Sequence, residues 1–255
     1  MMAEKAELRK AEPSFSVMLT EKLTSVEDAL PKDFNKARFV QNALALINDN
    51  PQLQKYSKAQ LMAGLLKASY LGLDAYAKEC YLIPYGNQLQ FQIDYRGSMK
   101  LAQKYSIRPI ESINSFIVRE GDRYESWISS GQPDFSYKPK PFNNGKIAGA
   151  VAYINFKDGG RMLEEMSLEE LENTRQHSKA SNSMAWKDFT TEMYKKTCVH
   201  RLCKKISLNF DNPEQRKIYE DDVAIATSPK EVAEAEIMEN ENAEEFVVEE
   251  PVDEA

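Results

Sequence analysis

The chain has 255 residues, 42% hydrophobic and 29% charged, enough to bury a sizeable core in one large or two small domains. No apolar run approaches the ~18 residues of a transmembrane helix, and the start MMAEKAELRKAEPSFSVML lacks the basic-then-apolar pattern of a signal peptide. The net charge of −7 argues against nucleic acid only until its distribution is read: Glu220 to Ala255 hold fourteen acids and one base, Lys230, leaving +6 on the rest.

The chain is thus a basic body with an acidic tail, and Arg175 to Lys217 alone carry ten bases against four acids. The three cysteines, Cys80, Cys198 and Cys203, are odd in number and scattered, which reads as reduced thiols in a cytosolic protein.

The first dozen residues are polar. Val17, Leu19, Leu23, Val26 and Leu30 recur at helical spacing, and Pro31 stops that helix. NKARFVQNALALINDN is a stronger amphipathic helix, capped by Asn35 or Asp33 and stopped by Pro51. SKAQLMAGLLKASYLGL follows, with Ser57 as cap and an end near Gly72. The period then falls to two: Leu89, Phe91 and Ile93 alternate with Gln88, Gln90 and Gln92, and Gly86-Asn87 suits a type II′ hairpin. Pro84 puts its strand at an edge or near a bulge.

RGSMKLAQKY predicts a helix. SINSFIVREGDRYESWI predicts a second hairpin with its turn at Glu120-Gly121-Asp122, and two further strands flank Asp158-Gly159-Gly160. Ser167 and Glu170 form a capping box for the next helix. SMAWKDFTTEMYKKTCVHRLCKKI predicts the longest helix, with a short one after Pro213. Helices, then a β-meander of antiparallel hairpins, then a long basic C-terminal helix make the class α+β, and the Glu-rich end reads as a disordered tail. The expected division is an N-terminal arm over 1–33, a core over 34–220 and an acidic tail over 221–255.

Cys198, His200 and Cys203 raise the question of a metal. At roughly 100° per residue the two thiols sit about 140° apart, flanking the arc of Val199, Leu202 and Ile206, with His200 further round. One helix therefore does not converge them on one ion, and the thiols read as core-edge hydrophobes. No acid lies between Glu192 and Asp211, so Lys196, Arg201, Lys204 and Lys205 lack ordinary helical partners; Lys195 projects onto the apolar arc.

Other chemistry fails on the residues. KPFNNGKI lacks the first glycine and the Ser/Thr of a phosphate-binding loop, no G-x-S-x-G elbow exists, and neither histidine has an evident nucleophile partner. Glu120, Asp122 and Glu125 suggest a divalent-metal nuclease, but Gly121-Asp122 is also good turn chemistry. What remains is binding of a single-stranded polyanion by cations tracking phosphates and rings near bases. Lys195, Lys196, Arg201, Lys204 and Lys205 are the first candidate phosphate contacts. Arg96, Lys100, Arg119, Lys157, Arg161 and Lys179 are the second set, with Tyr95 and Trp186 as stacking candidates.

LGL at Leu71, YLIPYGN at Tyr81, DYRG at Asp94, VREGD at Val118, KDGG at Lys157, SKA at Ser178 and KKTCVHRL at Lys195 occur in that order. Together, over about Leu65 to Leu208, they resemble the RecT family of phage recombinases. The resemblance implies a protein that binds single-stranded DNA and pairs it with a complementary strand without ATP or other cofactor. It also implies assembly into rings or helical filaments, a partner phage exonuclease and work in the bacterial cytoplasm. Cys198 and His200 depart from the family's usual KKTAIRRL, and His200 replaces a fixed charge with one mostly neutral at pH 7.

Alternatives stay open on the residues alone: the metal nuclease, or a monomeric RNA-binding module. The first helix either docks on a neighbouring copy or covers its own core. The acidic tail either competes for the cationic surface, engages another protein, or only solubilises.

Overall fold

The computed structural model describes residues 13–177 and 184–225. Three helices open the described chain: α1 (Phe15–Ser25), α2 (Lys36–Asp49) and α3 (Lys58–Leu71). α2 and α3 start at the expected caps, whereas α1, expected to run to Leu30, ends at Ser25 and is followed by a separate 3-10 turn over Glu27–Ala29. The Asn35 side chain accepts from the Arg38 N–H, Ser57 and Gln60 form a reciprocal capping box, and Gly72 ends α3 in the left-handed conformation. Leu19 and Leu23 of α1 are fully buried against α2 and α3, so α1 covers its own core.

β1 (Cys80–Tyr85) and β2 (Gln88–Ile93) form an antiparallel hairpin around Gly86-Asn87. Gly86 alone of the two turn residues has positive φ, 55°, the pattern of a type II′ turn. Asp94 then caps α4 (Tyr95–Tyr105), accepting from the Arg96 N–H. Gly97 is required there: a Cβ would collide with the Glu79 carbonyl oxygen, so only glycine lets α4 sit against the start of β1.

The central sheet is β3 (Ile110–Arg119), β6 (Ile147–Phe156) and β7 (Arg161–Ser167), antiparallel in the order β3-β6-β7. The hairpin β4 (Arg123–Ser129) and β5 (Gln132–Lys138) is inserted between β3 and β6. This corrects the expected β3–β4 hairpin. After Arg119 the chain turns at Asp122, whose carboxylate accepts from the Lys140 N–H and the Asn143 amide. That ties the return of the inserted hairpin beside β3 and leaves β3 to pair with the more apolar β6. A half-buried aromatic cluster, Phe116, Tyr124, Phe135, Tyr137 and Tyr153, glues the insertion to the outer face of the sheet; Phe116 and Tyr137 stack at 4.0 Å.

α5 (Leu168–His177) starts at the expected Ser167–Glu170 capping box. The expected long basic helix is two: α6 (Met184–Asp188) and α7 (Thr190–Lys204), broken at Phe189, where the backbone leaves helical geometry at φ −120°, ψ 32°. α7 covers the inner face of the sheet. α8 (Pro213–Ile225) runs past the 220/221 boundary expected from composition and packs on α3.

Two apolar clusters result. One joins the N-terminal helices to the β1–β2 hairpin, and the other joins the sheet to α5, α6 and α7. α4 lies between them, giving Leu101 and Tyr105 to the first and Ala102 to the second. The architecture is α+β with antiparallel sheets.

Candidate nucleic-acid interface

The cations are placed by the direction of α7 along β6. Cys198 donates to the Ala150 carbonyl near the start of β6, while Ile206, just past α7, shares a cleft with Phe156 at the end of β6. α4 runs alongside in the same direction: Tyr95 meets Lys196, Ser98 meets His200, and the Ile107 N–H donates to the Ser207 carbonyl. Tyr95, Arg96 and Lys196 therefore share one end of the molecule with Arg119 and Ile147, which pair at the same end of the sheet.

At that end the Lys196 ammonium lies 4.9 Å from the Tyr95 ring centroid, and the Arg96 guanidinium lies 5.7 Å from it. Arg96 Nε also donates to the Tyr95 hydroxyl at 3.2 Å. Two cations thus gather about one planar ring, Arg96 at its hydroxyl, and both lie near enough to the buried Asp94 carboxyl to act on it. Burial holds that carboxyl above its ordinary range, against the Arg96 N–H bond and the nearby Lys196 charge. Arg119 donates to the Gly145 carbonyl at 2.8 Å.

At the opposite end, Lys157 is exposed in the β6–β7 turn. Arg161 pairs with Asp134 and lies over the Phe135 ring at 5.3 Å. These residues approach a cleft of about 370 Å³ with Ile107, Phe156 and Ile206 in its lining and Arg108, Arg161 and Lys205 around it.

The remaining candidates are engaged elsewhere. Arg201 and Lys205 both pair with Glu164 of β7, whose side chain is 4% exposed, and Arg201 also reaches Glu170. The acids that the α7 face lacks in sequence arrive from β7 and α5. Lys195 pairs with Glu192 one turn back, and Lys204 is half-buried. Lys100 donates to the Gly72 carbonyl at 2.9 Å and pairs with Glu79 at 2.6 Å, which makes it an internal tie. Trp186 is 2% exposed against Tyr194, so its indole is core and presents no stacking face to a base. Lys179 lies outside the described residues, as do the SKA motif and the tail beyond Ile225.

The thiols behave as core. Cys198 donates to the Ala150 and Glu164 carbonyls, and burial pushes both Cys198 and Cys203 up to about 12. His200 lies 3.3 Å from the Ser98 hydroxyl, and burial, then Lys204, holds its pKa well below the usual histidine value. Of the three nuclease acids, Glu120 and Glu125 are exposed and Asp122 is engaged in its loop. Asp122 accepts from the Arg119 and Lys140 N–H groups, the Asn143 amide and the Tyr137 hydroxyl, which lower it to about 2. It is a loop anchor with its oxygens occupied.

A protein-family model described as the RecT family matches residues 37–238. The chain belongs to the RecT family. It is 28% identical over 193 residues to Protein RecT of Escherichia coli (strain K12), covering 72% of this chain and 71% of that protein. It is 23% identical over 189 residues to Uncharacterized protein YqaK of Bacillus subtilis (strain 168), covering 72% of this chain and 64% of that one. As a RecT-family member it is a DNA-binding, single-strand annealing protein of recombination.

Within this RecT-family chain the buried acids are what sequence reasoning missed. Glu164 holds two basic side chains, Asp94 caps the helix that carries Tyr95 and Arg96, and Asp222 of α8 accepts from the Ile93 N–H at 2.9 Å. For Asp94 the cap-like Asp before Tyr-Arg-Gly was a usable signal. For Glu164 and Asp222 the partners lie 37 or more residues away in the chain, beyond any local pattern.

Proposed function

We propose that the protein anneals complementary single strands without ATP, gripping each backbone at the molecular end built from Tyr95, Arg96, Lys196 and Arg119. The observation that carries this is the gathering of Lys196 and Arg96 about the Tyr95 ring, at 4.9 Å and 5.7 Å from its centroid. Cations beside a planar ring suit a strand whose phosphates and bases alternate. Lys157 and Arg161 at the far end of the sheet, with Lys204, Lys205 and Arg201 along α7, serve a strand that continues across more than one copy. Lys195 and Lys179 are weaker members of the set, and Lys100, tied to Gly72 and Glu79, falls outside it.

Annealing needs no covalent step. A cationic surface lowers repulsion between two polyanions, and an extended strand lowers competing intrastrand pairing. Each copy neutralises few phosphates, so tight binding calls for many copies in a row, as a homo-oligomeric ring or helical filament. The strand ends come from a partner exonuclease, in the setting of a phage growing in the bacterial cytoplasm. The acidic tail competes for the same cations when DNA is absent.

The test is annealing of two labelled complementary oligonucleotides by the full chain, without nucleotide triphosphate and with magnesium or manganese present. Paired strands of full length, formed faster than in buffer, are expected. Shortened products, or no acceleration, would reject the reading.

A further inference from the structure

Phe142 is 99% exposed and sits in the left-handed region at φ 54°, where a bulky residue is strained. Its loop is nonetheless pinned. Asp122 accepts from the Lys140 N–H at 2.9 Å and the Asn143 amide at 2.7 Å, and Asn143 also donates to the Glu120 carbonyl at 3.0 Å. Arg119 holds Gly145 from the other side, and Pro139 and Pro141 fix their own φ. A rigid loop thus presents a large apolar ring that contributes nothing to this chain's own core.

The surroundings say what would cover it. Residues 138–146 carry Lys138, Lys140 and Lys146, all exposed, and no acid; of the acids beside them, Asp122 is taken up by the loop's own N–H groups and Glu120 is exposed. Arg119 and Ile147 flank the loop's return, at the end of the sheet shared with Tyr95, Arg96 and Lys196. The same composition, a ring among cations, occurs twice at one end of the molecule. A neutral apolar protein surface would leave those lysines unmatched, whereas a single strand matches both the charge and the flat ring.

We infer that Phe142 stacks on a nucleobase of the bound single strand, held in place for that contact by the Asp122–Asn143 loop. This rests on the single-strand binding proposed above and adds a residue outside the basic helix. Stacking is sequence-tolerant, because every base offers a π-face, which suits a protein that must anneal any sequence. The pre-formed loop lowers the ordering cost of the contact.

Full-length wild type, Phe142→Ala, Phe142→Leu and Phe142→Trp are titrated against a fluorescein-labelled oligo-dT of about thirty nucleotides at several salt concentrations. Phe142→Ala should bind about 5- to 100-fold more weakly with an unchanged salt slope, because no phosphate contact is lost. Phe142→Leu should bind as weakly, and Phe142→Trp as well as wild type. Wild-type affinity in Phe142→Ala would overturn stacking while leaving single-strand binding intact. Wild-type affinity in Phe142→Leu, or a drop in the mass of DNA-free particles in Phe142→Ala, would assign the ring to a protein contact and overturn it too. Failure of wild type to bind the oligonucleotide would remove both readings together.

Discussion

Arg201 Nε lies 2.9 Å from a carboxylate oxygen of Glu164, a residue of the neighbouring strand whose side chain is 4% exposed. Lys205 binds the other oxygen of the same carboxylate. Part of the basic character of α7 is therefore spent on holding that helix to the sheet, and only part faces solvent.

Glu164→Gln should destabilise the protein by about 1–2 kcal/mol, less than a fully buried pair, because Arg201 and Lys205 are about half exposed. Urea unfolding measures this. The same variant should bind single-stranded DNA at least as tightly as wild type, since Lys205 loses its carboxylate partner and Arg201 keeps only Glu170. Weaker DNA binding with unchanged stability would contradict that division of roles.

Asp222 gives a pH signature. Burial raises its carboxyl to about 6, with Lys204 and Lys67 and the Ile93 N–H acting in the opposite direction. The folded state thus holds this proton more tightly than the unfolded chain, whose Asp titrates near ~3.9. Its contribution to stability is full below about pH 4 and is lost as pH rises through about 6. Asp222→Asn keeps an acceptor for the Ile93 N–H and removes the buried charge. It should be more stable than wild type by about 2 kcal/mol at pH 7.5, with the gap closing towards pH 4. A gap that stays constant in urea titrations across that range would refute the assignment.

The chain has two tryptophans, Trp127 at 44% exposure and Trp186 at 2%. In Trp127→Phe the remaining emission reports Trp186 alone. It should be blue-shifted and unmoved by saturating oligo-dT. Strong quenching by DNA would return Trp186 to the interface, against its packing on Tyr194.

Local signals were legible where the chemistry is local. Ser57, Asn35 and Ser167 cap the helices they precede, and Gly86-Asn87 turns the hairpin it sits in. Pairing was not legible where it is non-local. Glu120-Gly121-Asp122 is a real turn, but a turn does not say which strands then hydrogen-bond, and β3 waits 28 residues for β6. The break at Phe189 was hidden because Trp186 and Phe189 fit a continuous helical pattern. For the site, charge density on α7 was visible, whereas the acids that absorb it come from β7 and α5. Tyr95 and Arg96 were picked out from a strand-end position, whereas nothing in the local pattern around Phe142 marks its ring as exposed.

The central claim is that phosphates lie against Lys196 and Arg96 at the Tyr95 end of the molecule. It is tested most directly by titrating oligo-dT binding against sodium chloride for wild type, Lys196→Ala, Arg96→Ala and Lys100→Ala. Wild type should show log affinity falling with log salt by about 0.7 for each phosphate neutralised. Lys196→Ala and Arg96→Ala should each flatten that slope by about 0.7, while Lys100→Ala, tied to Glu79 and Gly72, should leave it unchanged. A salt-independent wild type, or slopes for Lys196→Ala and Arg96→Ala equal to wild type, would contradict it.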